Sequence, residues 1–466
     1  MLKDYTLYSS IKTRFFKRDL TPQSSTPMSL RKKILLGILL VLVIAIGYVG
    51  PYYYQYAQIG AAYNAKTVCS CVFVSGRSLA SVEKEDLYAI PYGTQTIDRK
   101  AHTATASLFG LVSQTALYRP GLGCTLVNSS TAQELKAQTK LDFTAKTIQE
   151  LPDSTLPAGQ RQTLAKTLDW AFAEPDTSFP VLTRAVVVLH RGKVVAERYA
   201  PGISRTTPLL GWSMTKSVTN AMIGLLVKDG KLKVDAQAPI AEWKNDERKA
   251  IKLDNLLRMN SGLDFEENYS NVSDATKMLF RVPNAGQYAL QSKMRAKPGR
   301  EWYYSSGTTN ILQEIIRRQF KSLDDYLAFP HQRLFNKLGM STAILEPDPS
   351  GNYVGSSFMF ASARDWAKFG QLYLQDGVWK GEQILPKGWA AYSAKETPHS
   401  DGYYAAQFWI GYRKDGMPAD LFYADGFEGQ RVLIVPSKQL VVVRLGCTGY
   451  NNFEDKRFFE EVLGAF

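Results

Sequence analysis

Apolar and polar positions recur at different periods along this chain, and the changes of period mark its elements. The longest apolar run, Ile34–Val49, carries no charge and follows Arg31-Lys32-Lys33. Helical rise makes that run roughly 24 Å long. Gly50-Pro51-Tyr52-Tyr53-Tyr54 extends it with tyrosines suited to a membrane interface. The pattern predicts a basic cytoplasmic tail over 1–33 and a single-pass transmembrane anchor over 34–54. The remainder would then stand in the periplasm or outside the cell, held at the inner membrane. A cleaved signal peptide is the competing reading. The long segment ahead of the apolar run, with no small-x-small site directly after it, favours the anchor.

Residues 55–164 form an N-terminal extension of mixed pattern, in which Thr67–Val74 reads as a strand. Leu164–Ala173 suits a helix. Ala185–His190 and Val194–Arg198 read as two strands around Arg191-Gly192-Lys193, a hairpin signal. Met214, Val218, Met222, Leu225 and Leu226 then recur at helical spacing until Asp229-Gly230 closes the helix. Helical and loop sequence dominates from about 235 to 400, with amphipathic helices at Ile311–Phe320 and Trp366–Leu374. Arg431–Val435 and Gln439–Leu445 return to strand character around Pro436-Ser437-Lys438, and Asn452–Phe466 closes the chain as a helix. Strands at both ends of 165–466 with helices between them predict an α+β fold. Its antiparallel sheet is assembled from distant segments, flanked by helices and interrupted by a helical insertion.

Composition changes this picture little. At 466 residues, 45% hydrophobic and 12% aromatic, the chain can fill a sizeable core, which argues against wholesale disorder. The net charge of +13 suggests nucleic acid until it is divided: residues 1–33 hold +6, and the other +7 is spread thinly without a long basic run. No nucleic-acid partner is expected. Cys69, Cys71, Cys124 and Cys447 all follow the apolar run, where an oxidising compartment would allow disulfides. Four cysteines permit three complete pairings; Cys69 or Cys71 with Cys124, which flank the same segment, is the expected bridge. Cys-Ser-Cys has the wrong spacing for a zinc knuckle, and no metal or cofactor is expected.

The candidate chemistry lies in Gly211-Trp-Ser-Met-Thr-Lys-Ser217. A serine hydroxyl needs an adjacent base before it attacks a carbonyl, and residues at i and i+3 share a helix face. Ser-x-x-Lys occurs four times, at Ser9/Lys12, Ser29/Lys32, Ser81/Lys84 and Ser213/Lys216, so spacing alone decides nothing. Only the fourth opens an apolar helical stripe. A solvated surface pair is the bland alternative, and the downstream sequence weighs against it.

Lys297-Pro-Gly-Arg-Glu-Trp-Tyr-Tyr304-Ser-Ser306-Gly307 resembles the Pro-Gly…Tyr-x-Asn segment of class C β-lactamases and the wider β-lactamase-related serine hydrolases. Tyr304 falls on the family's catalytic tyrosine, and Ser306 on the position usually held by asparagine. Leu256-Leu-Arg-Met-Asn-Ser-Gly-Leu263, Gly339-Met-Ser-Thr342, Ala361–Gly370 and Asp425-Gly-Phe-Glu-Gly-Gln430 resemble later elements of the same family, in order. The resemblance covers about 165–465 and implies a β-lactamase/penicillin-binding-protein-like domain over 165–466. It departs at the third box, where many members carry Lys-Thr-Gly or His-x-Gly: Leu421–Gln430 has neither lysine nor histidine. A dedicated β-lactamase is therefore not expected. The backbone of Gly426, Phe427 and Gly429 would still supply an oxyanion N–H beside that of Ser213. Trp-Ser-x-x-Lys looks closest to 6-aminohexanoate-dimer hydrolase-like and esterase-like members, which places Tyr269 as a second active-site tyrosine.

Other schemes fit less well. An α/β-hydrolase elbow needs glycine where Thr215 stands, and His102, His190, His331 and His399 sit in no triad motif. The expectation is a serine hydrolase acting on a small amide or ester, cell-wall peptides included, through Ser213, Lys216 and Tyr304. The alternative is an inert penicillin-binding-like module that recognises cell-wall peptide or a partner protein.

Overall fold

Valines and leucines at successive positions of one strand need cover on both faces, and the central sheet receives it. The computed structural model describes residues 28–143, 148–174, 180–449 and 453–466; residues 1–27 of the basic tail, and Asn452 of the expected closing helix, lie outside them. Residues 1–53 and 54–466 separate into two compact units.

In the second unit, a four-stranded antiparallel meander comes first: β1 (Thr94–Asp98), β2 (Thr103–Leu108), β3 (Val112–Arg119) and β4 (Gly123–Leu126). Next come β5 (Thr183–His190) and β6 (Lys193–Tyr199), joined by Arg191-Gly192, both at positive φ as a two-residue hairpin turn requires. β7 (Leu209–Leu210), β8 (Ile344–Leu345) and β9 (Met359–Ala361) form a small sheet, and β10 (Val378–Trp379) with β11 (Glu382–Gln383) a ribbon. β12 (Phe422–Gly426), β13 (Gln430–Val435) and β14 (Leu440–Gly446) complete the central sheet in the order β12-β13-β14-β5-β6, antiparallel throughout.

Alternate side chains of β5 enter different cores. Ala185, Val187 and Leu189 join the core that contains the helices Thr215–Lys228, Ser306–Arg317 and Ala363–Leu374. Val186 and Val188 join a second core, with Leu164 and Leu168 of the helix Ala158–Ala171 and Phe458 and Phe459 of the helix Asp455–Leu463. The α+β expectation, with its antiparallel sheet and helical insertion, is met.

Two expectations in the N-terminal part are corrected. The anchor over 34–54 is helical, within Leu30–Cys69, yet among the described residues no helix is long and apolar enough to cross a membrane. Its apolar stretch ends at Val49, and Pro51, three tyrosines and Gln55 follow. Thr67–Val74 is not a strand. The helix continues to Cys69 and ends in a wide turn, Ser70–Val74, because Ala61, Ala62, Ala65, Val68 and Cys69 are buried and their backbone groups are satisfied within the helix.

Residues of the extension are tied into the second unit. Cys69 is bonded to Cys124, as expected, while Cys71 and Cys447 remain buried thiols. Glu346, fully buried, pairs with Lys66, accepts from Ser70 Oγ at 2.8 Å and takes the Cys124 N–H at 2.7 Å. Arg77 and Arg184 both pair with Asp86. A buried ion needs such partners to offset its desolvation.

Candidate active site

The turn that carries Ser213 is built by a strained backbone and small neighbours. Trp212 has φ 46°, and Trp212–Met214 forms a tight turn that leads into the helix Thr215–Lys228. The Thr215 hydroxyl donates to the Trp212 carbonyl at 2.6 Å and accepts the Met359 N–H at 3.2 Å, locking the turn onto β9. Gly211 lies under the Trp366 ring, where a side chain would collide. Trp212 Nε1 donates to Glu428 at 2.9 Å, and Glu428 is itself at φ 64°. Two left-handed residues, each costing about 1–2 kcal/mol, are thus joined by one hydrogen bond.

Lys216 is 2% exposed. Its Nζ lies 3.0 Å from Ser213 Oγ, 3.0 Å from Ser306 Oγ and 2.9 Å from the Ser356 carbonyl oxygen. Burial lowers its pKa to about 8, against the opposing pull of Glu267 and Asp425. Tyr304 hydrogen-bonds Ser213, and its ring centroid lies 4.8 Å from the lysine nitrogen. Burial raises the tyrosine's pKa well above 10, with Glu267 and Asp425 adding to the rise and the Ser213 bond opposing it. At neutral pH the phenol therefore keeps its proton, and the lysine is the group poised to act as base.

Two turns of the 256–263 segment explain this geometry. Met259, at φ 56°, accepts the Tyr303 N–H at its carbonyl (2.9 Å), and its sulfur faces the Ser305 N–H at 3.3 Å. Gly262, at φ 79°, accepts at its carbonyl from Arg295 N and Ala296 N. The Leu256–Leu263 segment thereby holds 295–305 in register and sets Tyr304 beside Ser213. Ser305 caps the helix Ser306–Arg317 by accepting the Thr308 N–H at 3.1 Å.

The remaining candidates divide. Ser306 and Tyr269 are brought together: the Tyr269 hydroxyl lies 2.9 Å from Ser306 Oγ and donates to Glu267 at 2.6 Å, while its ring is exposed. Gly426 ends β12 directly against the Gly211 carbonyl, where any side chain would overlap it. Phe427 is exposed and packs edge-on to Trp212 at 5.8 Å. The Gly429 carbonyl accepts from Arg444 Nη1 at 2.9 Å. At the third box Asp425 pairs with Arg431. Trp302 belongs to an aromatic cluster with Tyr404 and Trp409 that also packs against Tyr304.

Sequence reading passed over two contributors. Ser356 acts through its carbonyl, which no side-chain motif reveals. Glu267 stood two positions from Tyr269, and a carboxylate beside a suspected site tyrosine was the available signal.

Residues 177–462 match the beta-lactamase family, described as Beta-lactamase, and the chain belongs to it. Relatives in that family carry names of hydrolases, the 6-aminohexanoate-dimer hydrolase among them. The 6-aminohexanoate-dimer hydrolase of Paenarthrobacter ureafaciens is 24% identical over 297 residues, 56% of this chain and 72% of the relative. Among solved structures, a Bacillus anthracis protein assigned as a 6-aminohexanoate-dimer hydrolase superposes with TM-score 0.57 at 24% identity, over 68% of this chain and 87% of its own. A penicillin-binding protein homologue from Caulobacter crescentus gives 0.52 at 16% identity, over 67% and 99%.

Proposed function

We propose that the protein cleaves an amide or ester bond of a small substrate through an acyl-enzyme on Ser213. Neutral Lys216 takes the serine proton as Oγ attacks the carbonyl carbon. The tetrahedral oxyanion is held by backbone N–H groups of Ser213 and the 426–427 segment. Tyr304 gives its proton to the leaving amine or alcohol and is reprotonated from the Lys216 ammonium. The acyl group stays on Ser213, and water then attacks it, giving a proton to Lys216, which returns it to Ser213 Oγ as the acid leaves. The observation that carries this reading is the buried Lys216 amine, with its pKa lowered to about 8, 3.0 Å from Ser213 Oγ.

The third-box segment Leu421–Gln430 offers no lysine or histidine to hold a substrate carboxylate, so a dedicated β-lactamase is not favoured. The Cys69–Cys124 disulfide supports an oxidising compartment, periplasmic or extracellular, for the catalytic unit.

The test is intact mass after treatment with a fluorophosphonate probe, beside a Ser213→Ala control. One adduct, absent from the control, is expected. No adduct on folded protein would return the chain to the inert recognition module.

A further inference from the structure

Lys216 has three neighbours, and a neutral amine has only two protons. Which neighbour meets the lone pair decides whether the lysine is a base toward Ser213. The Ser356 carbonyl can only accept, so it takes one N–H. Ser306 is a hydroxyl and has one proton to place. That proton goes to Glu267: Ser306 Oγ donates to Glu267 Oε1 at 2.5 Å, and the Ser306 N–H donates to Oε2 at 2.8 Å. The Tyr269 hydroxyl adds a third bond to Oε1, at 2.6 Å. The Glu267 N–H lies 3.3 Å from the Tyr303 hydroxyl, which fixes the residue's own backbone.

With its proton committed to a carboxylate, Ser306 can only accept from Lys216. Both amine protons are then used, on Ser306 and Ser356, and the remaining direction is Ser213. We propose that Glu267 is a positioning residue that orients the Ser306 hydroxyl and so aims the Lys216 lone pair at Ser213 Oγ. This rests on the acyl-enzyme reading above and deepens it: the serine at 306 does its work only in company with the carboxylate at 267. The exposed Tyr269 ring covers that carboxylate on the outer side.

A glutamine at 267 would present an amide N–H to Ser306. The serine proton would turn toward Lys216 and compete with Ser213 for the lone pair, so the rate at full deprotonation falls. The charge effect runs the other way. Lys216 faces two carboxylates, Glu267 from the 264–273 loop and Asp425 from β12, together with the phenol of Tyr304; Tyr404 behind Tyr304 feels the same two charges. Losing one carboxylate disfavours the ammonium, so the lysine deprotonates at lower pH. A packing defect alone would lower the rate without moving the pH limb.

The experiment measures the second-order rate of fluorophosphonate labelling from pH 6 to 10 by intact mass, on the full chain, for wild type, Glu267→Gln, Glu267→Asp and Ser306→Ala. For Glu267→Gln the plateau is expected to fall about tenfold or more while the limb moves down by roughly one pH unit. Glu267→Asp restores the limb. Ser306→Ala lowers the plateau with the limb in place, and it serves if Glu267→Gln fails to fold. A wild-type plateau in Glu267→Gln or in Ser306→Ala overturns the inference, as does an unmoved limb in Glu267→Gln. Wild-type protein that takes no label would instead sink the hydrolase reading itself, so the two failures are distinct.

Discussion

The Cys69–Cys124 bridge closes a loop of 55 residues that contains most of the N-terminal meander. Replacing both cysteines by serine removes that closure from the unfolded chain. In the chain-entropy model a loop of this length is worth about 4 kcal/mol at 25 °C. The native cost is small beside it, because Glu346 continues to bind Lys66, Ser70 and the residue-124 N–H. The unfolding entropy of a unit this large is roughly 0.9 kcal/mol per degree, so the same loss appears as about 5 °C in Tm. Urea unfolding followed by tryptophan fluorescence is the direct assay. The double variant should unfold at a lower midpoint with a larger m, since its unfolded chain is less compact. A loss under 1 kcal/mol with an unchanged m would refute the reasoning, because the bridge would then constrain nothing. Tyr63, on the helix that carries Cys69, stacks on Trp212 at 6.4 Å, which adds a catalytic readout: labelling of Ser213 in dilute urea should fail earlier in the variant.

Two further predictions follow from the site. With Lys216 at about pKa 8, roughly 9% is neutral at pH 7 and half at pH 8, so labelling should rise about tenfold from pH 7 to a plateau above pH 9; a flat profile from 7 to 9 would remove Lys216 as the base. Gly262→Ala places a side chain at φ 79° against the Ala296 carbonyl. It should cost about 2 kcal/mol or more in urea unfolding and slow labelling as well, because the same turn holds Tyr304; an active variant of wild-type stability would contradict that role.

Four strands of the central sheet were legible because they are short, rich in apolar β-branched residues and punctuated by Arg191-Gly192 or Pro436-Ser437-Lys438, while β12, with Asp425 and Gly426 at its end, was not read as a strand. The nucleophile helix was legible for the same reason, its apolar stripe distinguishing Ser213/Lys216 from three other Ser-x-x-Lys matches. Thr67–Val74 misled because β-branched and small apolar residues suit a strand in isolation, while here helical continuity from the preceding run and burial around Cys69 decide. The meander β1–β4 was missed for the opposite reason: β1 and much of β3 carry polar, half-exposed positions with little alternation to read. Ser356 could not be placed at all, since it works by its main chain, and Glu267 was signalled only by its place two residues before Tyr269.

The strand order carries a consequence for how the molecule is made. β5 offers one edge to β6 at once, but its other edge waits for β14, with Val188 finally facing Val442. At about 5–20 residues per second, the ribosome takes roughly 12–50 s to supply that partner. Throughout that interval a row of buried-type side chains, Ala185 to Leu189, sits on an open hydrogen-bonding edge that any other nascent strand can capture. Synthesis conditions that slow or shield that interval, such as lower temperature or abundant holdase chaperones, should therefore govern the yield of folded protein more than any later step. On the proposed mechanism the same delay withholds activity: Ser213, Lys216 and Tyr304 are all synthesised before β12, so the 426–427 segment proposed to hold the oxyanion is missing until translation is almost finished.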